Sequence, residues 1–250
     1  ASGEVDMRSV AAVLAEANRL ALDVRWALET HVHADHLSGA PYIKAKTGAQ
    51  IGIGARITDV QRIFRPIFNA ADLVADGGDF DRLFTDGDRL PLGNLQIEGI
   101  HTPGHTANHT AFALDGTGLL FSADHVMAWA TTIVAPPDGS MAEFMASLEK
   151  LLARDDRLFL PGHGGSVREP ASFLRGLRAH RRMRERALLE RIRSGDRLIP
   201  DMVKAIYATT DPRLHGAAAL SVLAHLEDLV EKGRVTTEGP PSLKGAYFPA

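Results

Sequence analysis

Four side chains able to bind a metal crowd the six residues His31-Val32-His33-Ala34-Asp35-His36. An ordinary core has no use for such a density of imidazole and carboxylate, because each must find a partner or stay wet. A divalent cation of borderline softness satisfies all four, taking imidazole nitrogen at about 2.0–2.1 Å and carboxylate oxygen at about 2.0–2.2 Å. Three more candidates follow. His105 lies in His101-Thr102-Pro103-Gly104-His105-Thr106, where Pro and Gly fix a tight turn that aims the ring. Asp124 follows an apolar run at 119–122, and His163 sits in Pro161-Gly162-His163-Gly164. Seven protein ligands are too many for one tetrahedral zinc, and they suit two ions about 3.5–4 Å apart with a bridging carboxylate. The natural partition gives His31, His33 and His105 to one ion and Asp35, His36 and His163 to the other, with Asp124 between them. Two zinc ions so held bring the pKa of a bridging water toward about 7 and polarise a substrate oxygen, which is hydrolytic chemistry. Asp35 is also placed to manage the proton.

These residues need elements that end where they begin. Residues 8–21 carry Val10, Val13, Leu14, Ala17 and Leu20 at helical spacing, which predicts an amphipathic helix. A short apolar run at 24–29 predicts a strand feeding the His-rich loop, with a helix at 37–47 and a strand at 50–53 after it. Residues 66–90, rich in Asp and Gly, read as a surface excursion. Hairpins are predicted around Gly93-Asn94 and around Asp115-Gly116-Thr117, then a helix at 141–153 and a strand at 157–160. Strands again run straight into candidate ligands, the usual address of an α/β site. Beyond Pro170 the pattern turns helical at 171–193, 201–208 and 215–232, with a small hairpin through Val235-Thr236 and Tyr247-Phe248. Helix, helix and small β element resemble a winged helix. The expected domains are 1–169 (catalytic), 170–195 (connecting helix) and 196–250 (winged-helix-like).

The 250 residues carry no cysteine, which excludes disulfides, thiolate sites and cysteine nucleophiles. No apolar run approaches the roughly 18 residues that cross a bilayer, and no apolar leader opens the chain, so the expectation is a cytoplasmic protein without membrane contact. The net charge of −3 splits into −7 for residues 1–140 and +4 for 141–250. Nine arginines and three acids lie between positions 175 and 197. That run reads either as a nucleic-acid face or as a solvated helix whose Glu185 and Glu190 pair with neighbouring arginines.

The His31–His36 motif, Thr102-Pro103-Gly104-His105-Thr106, Asp124 and Pro161-Gly162-His163-Gly164 together resemble the metallo-β-lactamase superfamily, whose seven dinuclear ligand positions are matched in order. The resemblance implies an α/β fold, an αββα sandwich with its metals at one sheet edge. Residues 24–106, with Leu28-Glu29-Thr30-His31 and Ile67-Phe68-Asn69, are similar to persulfide dioxygenases, which use one iron. Residues 104–235 are instead similar to hydrolases with a winged-helix tail, a group that includes a ribonuclease. The shared stretches are Ser122-Ala123-Asp124-His125, the loop 131–141 and Leu223-Ala224-His225-Leu226. The dioxygenase signature is absent after Asp124, and an intact His163 favours two metals. The reading is therefore a dinuclear zinc hydrolase of an ester, thioester, lactone, lactam or phosphodiester. The iron-dependent persulfide dioxygenase and the RNA-binding or ribonuclease protein are the alternatives. A small molecule is the expected partner and RNA the alternative one.

The family opens with strands ahead of the helix at 8–21, and these are absent here. Either the first sheet is short of strands or a partner supplies them, so an exposed sheet edge makes a homodimer an expectation. His101, His109 and His125 are read as hydrogen-bonding to ligands or as satisfied core histidines, and His180, His215 and His225 as structural. Ser140 and the Thr131-Thr132 pair either wall the substrate pocket or serve turns.

Overall fold

The computed structural model describes residues 6–33 and 38–250. Helix α1 (Arg8–Arg19) leads into β1 (Trp26–Leu28), then α2 (Ala40–Thr47), β2 (Gln50–Gly54), α3 (Ile57–Ile67) and β3 (Arg82–Phe84). These strands form a parallel sheet in the order β1-β2-β3, the helices serving as the crossovers that parallel pairing requires. A second sheet runs β4 (Arg89–Leu92), β5 (Leu95–His101), β6 (Thr110–Leu114), β7 (Leu119–Ala123) and β8 (Leu158–Pro161). It is antiparallel as far as β7, and β8 joins in parallel after α4 (Met141–Leu152).

Alternation along the strands builds the layers. Trp26 and Leu28 of β1 and Phe84 of β3 meet Leu90, Ile97 and Phe112 of the second sheet, with the Phe84 and Phe112 rings edge-on at 5.5 Å. On the other side of the first sheet, Ile53 and Leu83 pack under Ile57 and Val60 of α3. Phe144, Leu148 and Leu151 of α4 cover Ala111, Ala113, Leu120 and Phe159 of the second sheet. The result is the αββα order expected from the sequence.

The tail comprises α5 (Pro170–Arg193), α6 (Ile199–Ile206), α7 (His215–Glu231) and the antiparallel pair β9 (Val235–Thr237) and β10 (Tyr247–Pro249). Leu198 bridges to Ala246 and adds a third rung, the winged-helix arrangement. Leu188 and Ile192 of α5 enter the tail's core with Met202, Val222, Leu226 and Tyr247, while Leu174 of the same helix belongs to the core beneath α4. One long helix thus serves both units.

Three expectations change. The stretch 66–90 is not all surface excursion, because Arg82–Phe84 pairs with β2 as β3. The apolar residues of α1 are not buried, Val13 and Leu20 being 63% and 49% exposed. The arginines of α5 pair across elements rather than along their own helix: Arg178 and Arg182 bond Glu149, Arg191 bonds Asp196, and Glu185 receives Arg234. Among the described residues the outer edge of β1 carries no strand, and no helix is long and apolar enough to cross a membrane.

Candidate metal centre

Past β1 the chain leaves the sheet with two anchors. The Glu29 N–H donates to the Gly52 carbonyl at 2.8 Å, and the Thr30 carbonyl accepts from the Thr110 N–H at 2.9 Å. The second anchor ties the first loop to β6, and so joins the two sheets at this edge. His31 follows, buried, with its Nδ1 3.0 Å from the Thr30 hydroxyl. His33 comes next and is more open. Asp35 and His36 lie outside the described residues.

His105 arrives from the other sheet. After β5, Gly104 adopts φ +126°, and a Cβ there would fall well inside contact with the Phe144 main chain at the start of α4. Glycine is needed for both reasons. The Gly104 carbonyl accepts from the Ser140 N–H at 2.9 Å, so the turn is pinned to the N-cap of α4. His105 Nδ1 donates to the Ile133 carbonyl at 2.8 Å. A carbonyl only accepts, so in the neutral ring the proton sits on Nδ1 and the Nε2 lone pair faces the site.

Asp124 is aimed by strain. Ala123, the last residue of β7, takes φ +44°, a left-handed conformation that a residue with a Cβ adopts only when its surroundings impose it. The Thr132 hydroxyl donates to the Asp124 main-chain carbonyl. On the opposite side Gly162 leaves room for the carboxylate, since a Cβ there would collide with Asp124 Oδ1. His163 follows at the end of β8, partly exposed, its ring stacked on Trp129 at 6.2 Å and 10°.

These residues converge. Ligand-capable atoms of His31, His33 and His105 lie within 4.8 Å of one another. Asp124 Oδ2 stands 3.9 Å from His31 Nε2, 3.9 Å from His105 Nε2 and 3.4 Å from His163 Nε2. Two ligands of one tetrahedral ion with bonds of about 2.1 Å are separated by about 3.4 Å, the order of these spacings, and imidazole with carboxylate is a donor set for a divalent metal ion.

Further histidines lie behind these residues. His109 is fully buried with its ring 5.2 Å from that of His31. Its Nε2 accepts from the His125 N–H at 3.1 Å, so Nδ1 carries the proton and donates to the Thr102 hydroxyl at 2.8 Å. Burial, reinforced by the surrounding imidazoles, holds His109 well below its usual pKa and keeps it neutral. His125 lies with its ring 4.5 Å from Phe144, and neither ring nitrogen has a hydrogen-bond partner among the described residues. Burial pulls its pKa down to about 3. His101 reaches only the Ala107 carbonyl, at 3.1 Å. Ser140 caps α4, whereas Thr132 supports Asp124 directly.

The sequence reading missed Arg181 and Asp138. Arg181 comes from α5, is 5% exposed, donates to the Thr132 carbonyl and lies 4.9 Å over the Phe144 ring. No carboxylate pairs with it among the described residues, and burial brings its pKa down to about 10. It therefore braces the short loop whose Thr132 hydroxyl holds Asp124 and whose Ile133 carbonyl orients His105. Asp138 accepts from the Ala107 N–H at 2.9 Å, and burial pushes its pKa up. In the sequence it is one residue of a Pro-Pro-Asp-Gly turn, a signal of local geometry only.

Comparison with known proteins bears on this arrangement. Residues 2–163 match the metallo-beta-lactamase superfamily, and residues 199–240 match the beta-lactamase associated winged helix domain. The chain belongs to the metallo-beta-lactamase superfamily. It is 52% identical over 106 residues to a probable metallo-hydrolase of Burkholderia pseudomallei, covering 42% of this chain and 36% of that protein. It is 35% identical over 163 residues to a beta-lactamase hydrolase-like protein of Agrobacterium fabrum, covering 65% of this chain and 38% of that one. The chain thus spans well under half the length of these two relatives. The crystal structure of a metallo-beta-lactamase family protein from Thermus thermophilus superposes with a TM-score of 0.72 at 23% identity, over 98% of this chain and 87% of the other. That superposition extends the shared fold through the tail. The superfamily typically binds metal ions, and His31, His33 and His105 at the sheet edge are spaced so that they could hold one.

Proposed function

We propose that the chain is a dinuclear zinc hydrolase. The observation that carries this reading is the Asp124 carboxylate, whose single oxygen faces His31 and His105 at 3.9 Å and His163 at 3.4 Å. A carboxylate approached by two sets of imidazoles would suit the bridging position of a two-metal site, which supports this reading. His31, His33 and His105 would hold one ion. His163, with Asp35 and His36 from the motif, would hold the other. When bound, zinc supplies Lewis acidity toward a carbonyl or phosphoryl oxygen and acidifies water near neutral pH.

The chain's own residues do the rest. The Ile133 carbonyl fixes the His105 tautomer, and the neutral His109 ring packs behind His31 without adding a competing charge. Trp129 stacks on His163 and walls the more exposed side. Asp35 is assigned the proton transfer, because it is the one carboxylate of the motif beside the imidazoles. The expected substrate is a small molecule bearing an ester, thioester, lactone or lactam. The open edge of β1 supports association with a second copy, which light scattering tests.

Metal analysis of the purified full chain decides the main point. Two zinc ions per chain are expected, falling to one or none in Asp124→Asn. One iron per chain, with oxygen consumed on glutathione persulfide, would overturn the reading.

A further inference from the structure

A cavity of about 520 Å³ opens beside the metal ligands, between α3 and residues 73–80. Its walls are Ile57, Val60, Phe64, Phe68, Leu73 and Phe80, and His33 closes one end. The same His33 belongs to the ligand cluster, so the cavity and the metal site share a side chain. Its size falls in the usual range of small-molecule sites, about 300–1,000 Å³.

The lining chemistry is one-sided. No lysine or arginine contributes to it. Its amide, Gln61, is occupied, with the Oε1 accepting from the Gly77 N–H at 3.0 Å. The one carboxylate among its described lining residues, Asp79, repels anions. A phosphate or carboxylate arm would therefore lose its water and find no cation in return. A hydrocarbon arm loses nothing and covers apolar surface that water now touches. Phe68 is 69% exposed at the rim and Val32 43%, with the Phe64 and Phe68 rings stacked at 5.6 Å.

We propose that this cavity is the subsite for a neutral hydrocarbon arm, an acyl or aryl chain of an ester or thioester, whose carbonyl then lies at the His31–His33–His105 cluster. The inference rests on the hydrolase reading for the reaction but not for the cavity. Hydrolysis adds water across the acyl bond and releases the chain as a carboxylate, together with the alcohol or thiol.

Two measurements on the full chain test this. Uncharged octanamide, titrated calorimetrically into metal-free protein, should bind with a negative heat-capacity change. Binding should weaken at least about tenfold in Leu73→Lys and Phe68→Ser, which alter rim positions and whose folding is checked by thermal midpoint. With zinc-loaded protein and p-nitrophenyl esters from acetyl to octanoyl, kcat/KM should rise about fourfold per methylene while the chain still fits. The octanoyl-over-acetyl ratio should fall toward one in Leu73→Lys. No binding of octanamide, binding indifferent to both substitutions, or equal kcat/KM across the esters overturns the proposal. Octanamide binding that responds to both substitutions, with no ester hydrolysed, leaves the apolar subsite standing and defeats the hydrolase reading alone.

Discussion

Replacing Arg181 by methionine sets opposing effects of known size against each other. The side chain is buried, donates to the Thr132 carbonyl and stacks over Phe144. Losing a hydrogen bond from a charged donor costs about 1.5–3 kcal/mol, and losing a desolvated cation–π contact costs about 2 kcal/mol. Against this, burial has drawn the guanidinium pKa down to about 10 with no paired carboxylate among the described residues. That shift corresponds to ~3 kcal/mol of unfavourable burial, which the neutral methionine relieves. Loss and relief nearly cancel, so Arg181→Met should shift the thermal midpoint of the metal-free protein by no more than about 5 °C. Function should not be spared. The loop loses its brace, and with it the Thr132 hydroxyl on Asp124 and the Ile133 carbonyl on His105. Support of this kind is worth about 10–100-fold in metal affinity. Competition with a chromophoric chelator measures that affinity, and thermal unfolding of the metal-free chain measures stability. Unchanged zinc affinity would refute the assignment of Arg181 as a positioning residue. So would a fall in midpoint well beyond 5 °C with affinity intact, which would make Arg181 merely structural.

Gly162→Ala should act on the carboxylate alone. The backbone there suits alanine, but the added methyl collides with Asp124 Oδ1. Zinc affinity should drop about tenfold or more with the metal-free fold little changed, and unaltered binding would show that the carboxylate has room to move. His225 gives a pH prediction remote from the ligands. Its pKa is pulled down to about 3 by burial, against about 6.5 in an unfolded chain. Below pH 6.5 the unfolded chain takes up a proton that the folded one refuses, so stability present above 6.5 is lost as pH falls. By pH 5 this amounts to ~2 kcal/mol, and His225→Met should remove that share of the acid lability. Parallel urea-unfolding losses in variant and parent between pH 7.5 and 5 would defeat the argument.

The convergence of His31, His33, His105, Asp124 and His163 was legible in the sequence because these residues announce themselves by type, and because turn-forming Pro and Gly flank His105 and His163. The hairpins of the second sheet were equally legible, since their glycines stand at positive φ, Gly93 at +60° and Gly116 at +73°. Strand β3 was not. Its three residues gain strand character only by pairing with β2 some thirty positions earlier, a non-local partner that local propensity does not encode. Arg181 was invisible for a similar reason: it binds a backbone carbonyl 49 residues away, and backbone has no sequence signature. The apolar cavity escaped because Phe64 and Phe68 lie one turn apart at the end of α3, Phe68 as its C-cap, a spacing that core packing and ligand binding share.

The tail makes the last distinction. A winged helix that reads nucleic acid presents a helix to the groove, with basic and polar side chains on its outward face. Here α7 carries no lysine or arginine along His215–Glu231, and residues 221–226 are all buried. Its Ala224 belongs to the core beneath α4. The arginines that suggested a nucleic-acid face are mostly engaged within the chain. Arg178 and Arg182 bond Glu149, Arg184 stacks on Tyr207, Arg191 bonds Asp196, and Arg197 lies over Phe248. The remaining member of that run with a defined inward role, Arg181, braces the metal ligands. Six of the nine arginines of that run thus make internal contacts, and the would-be reading helix is turned to the core. This leaves α5 and α7 packed behind Phe144 and the loop that carries Thr132 and Ile133.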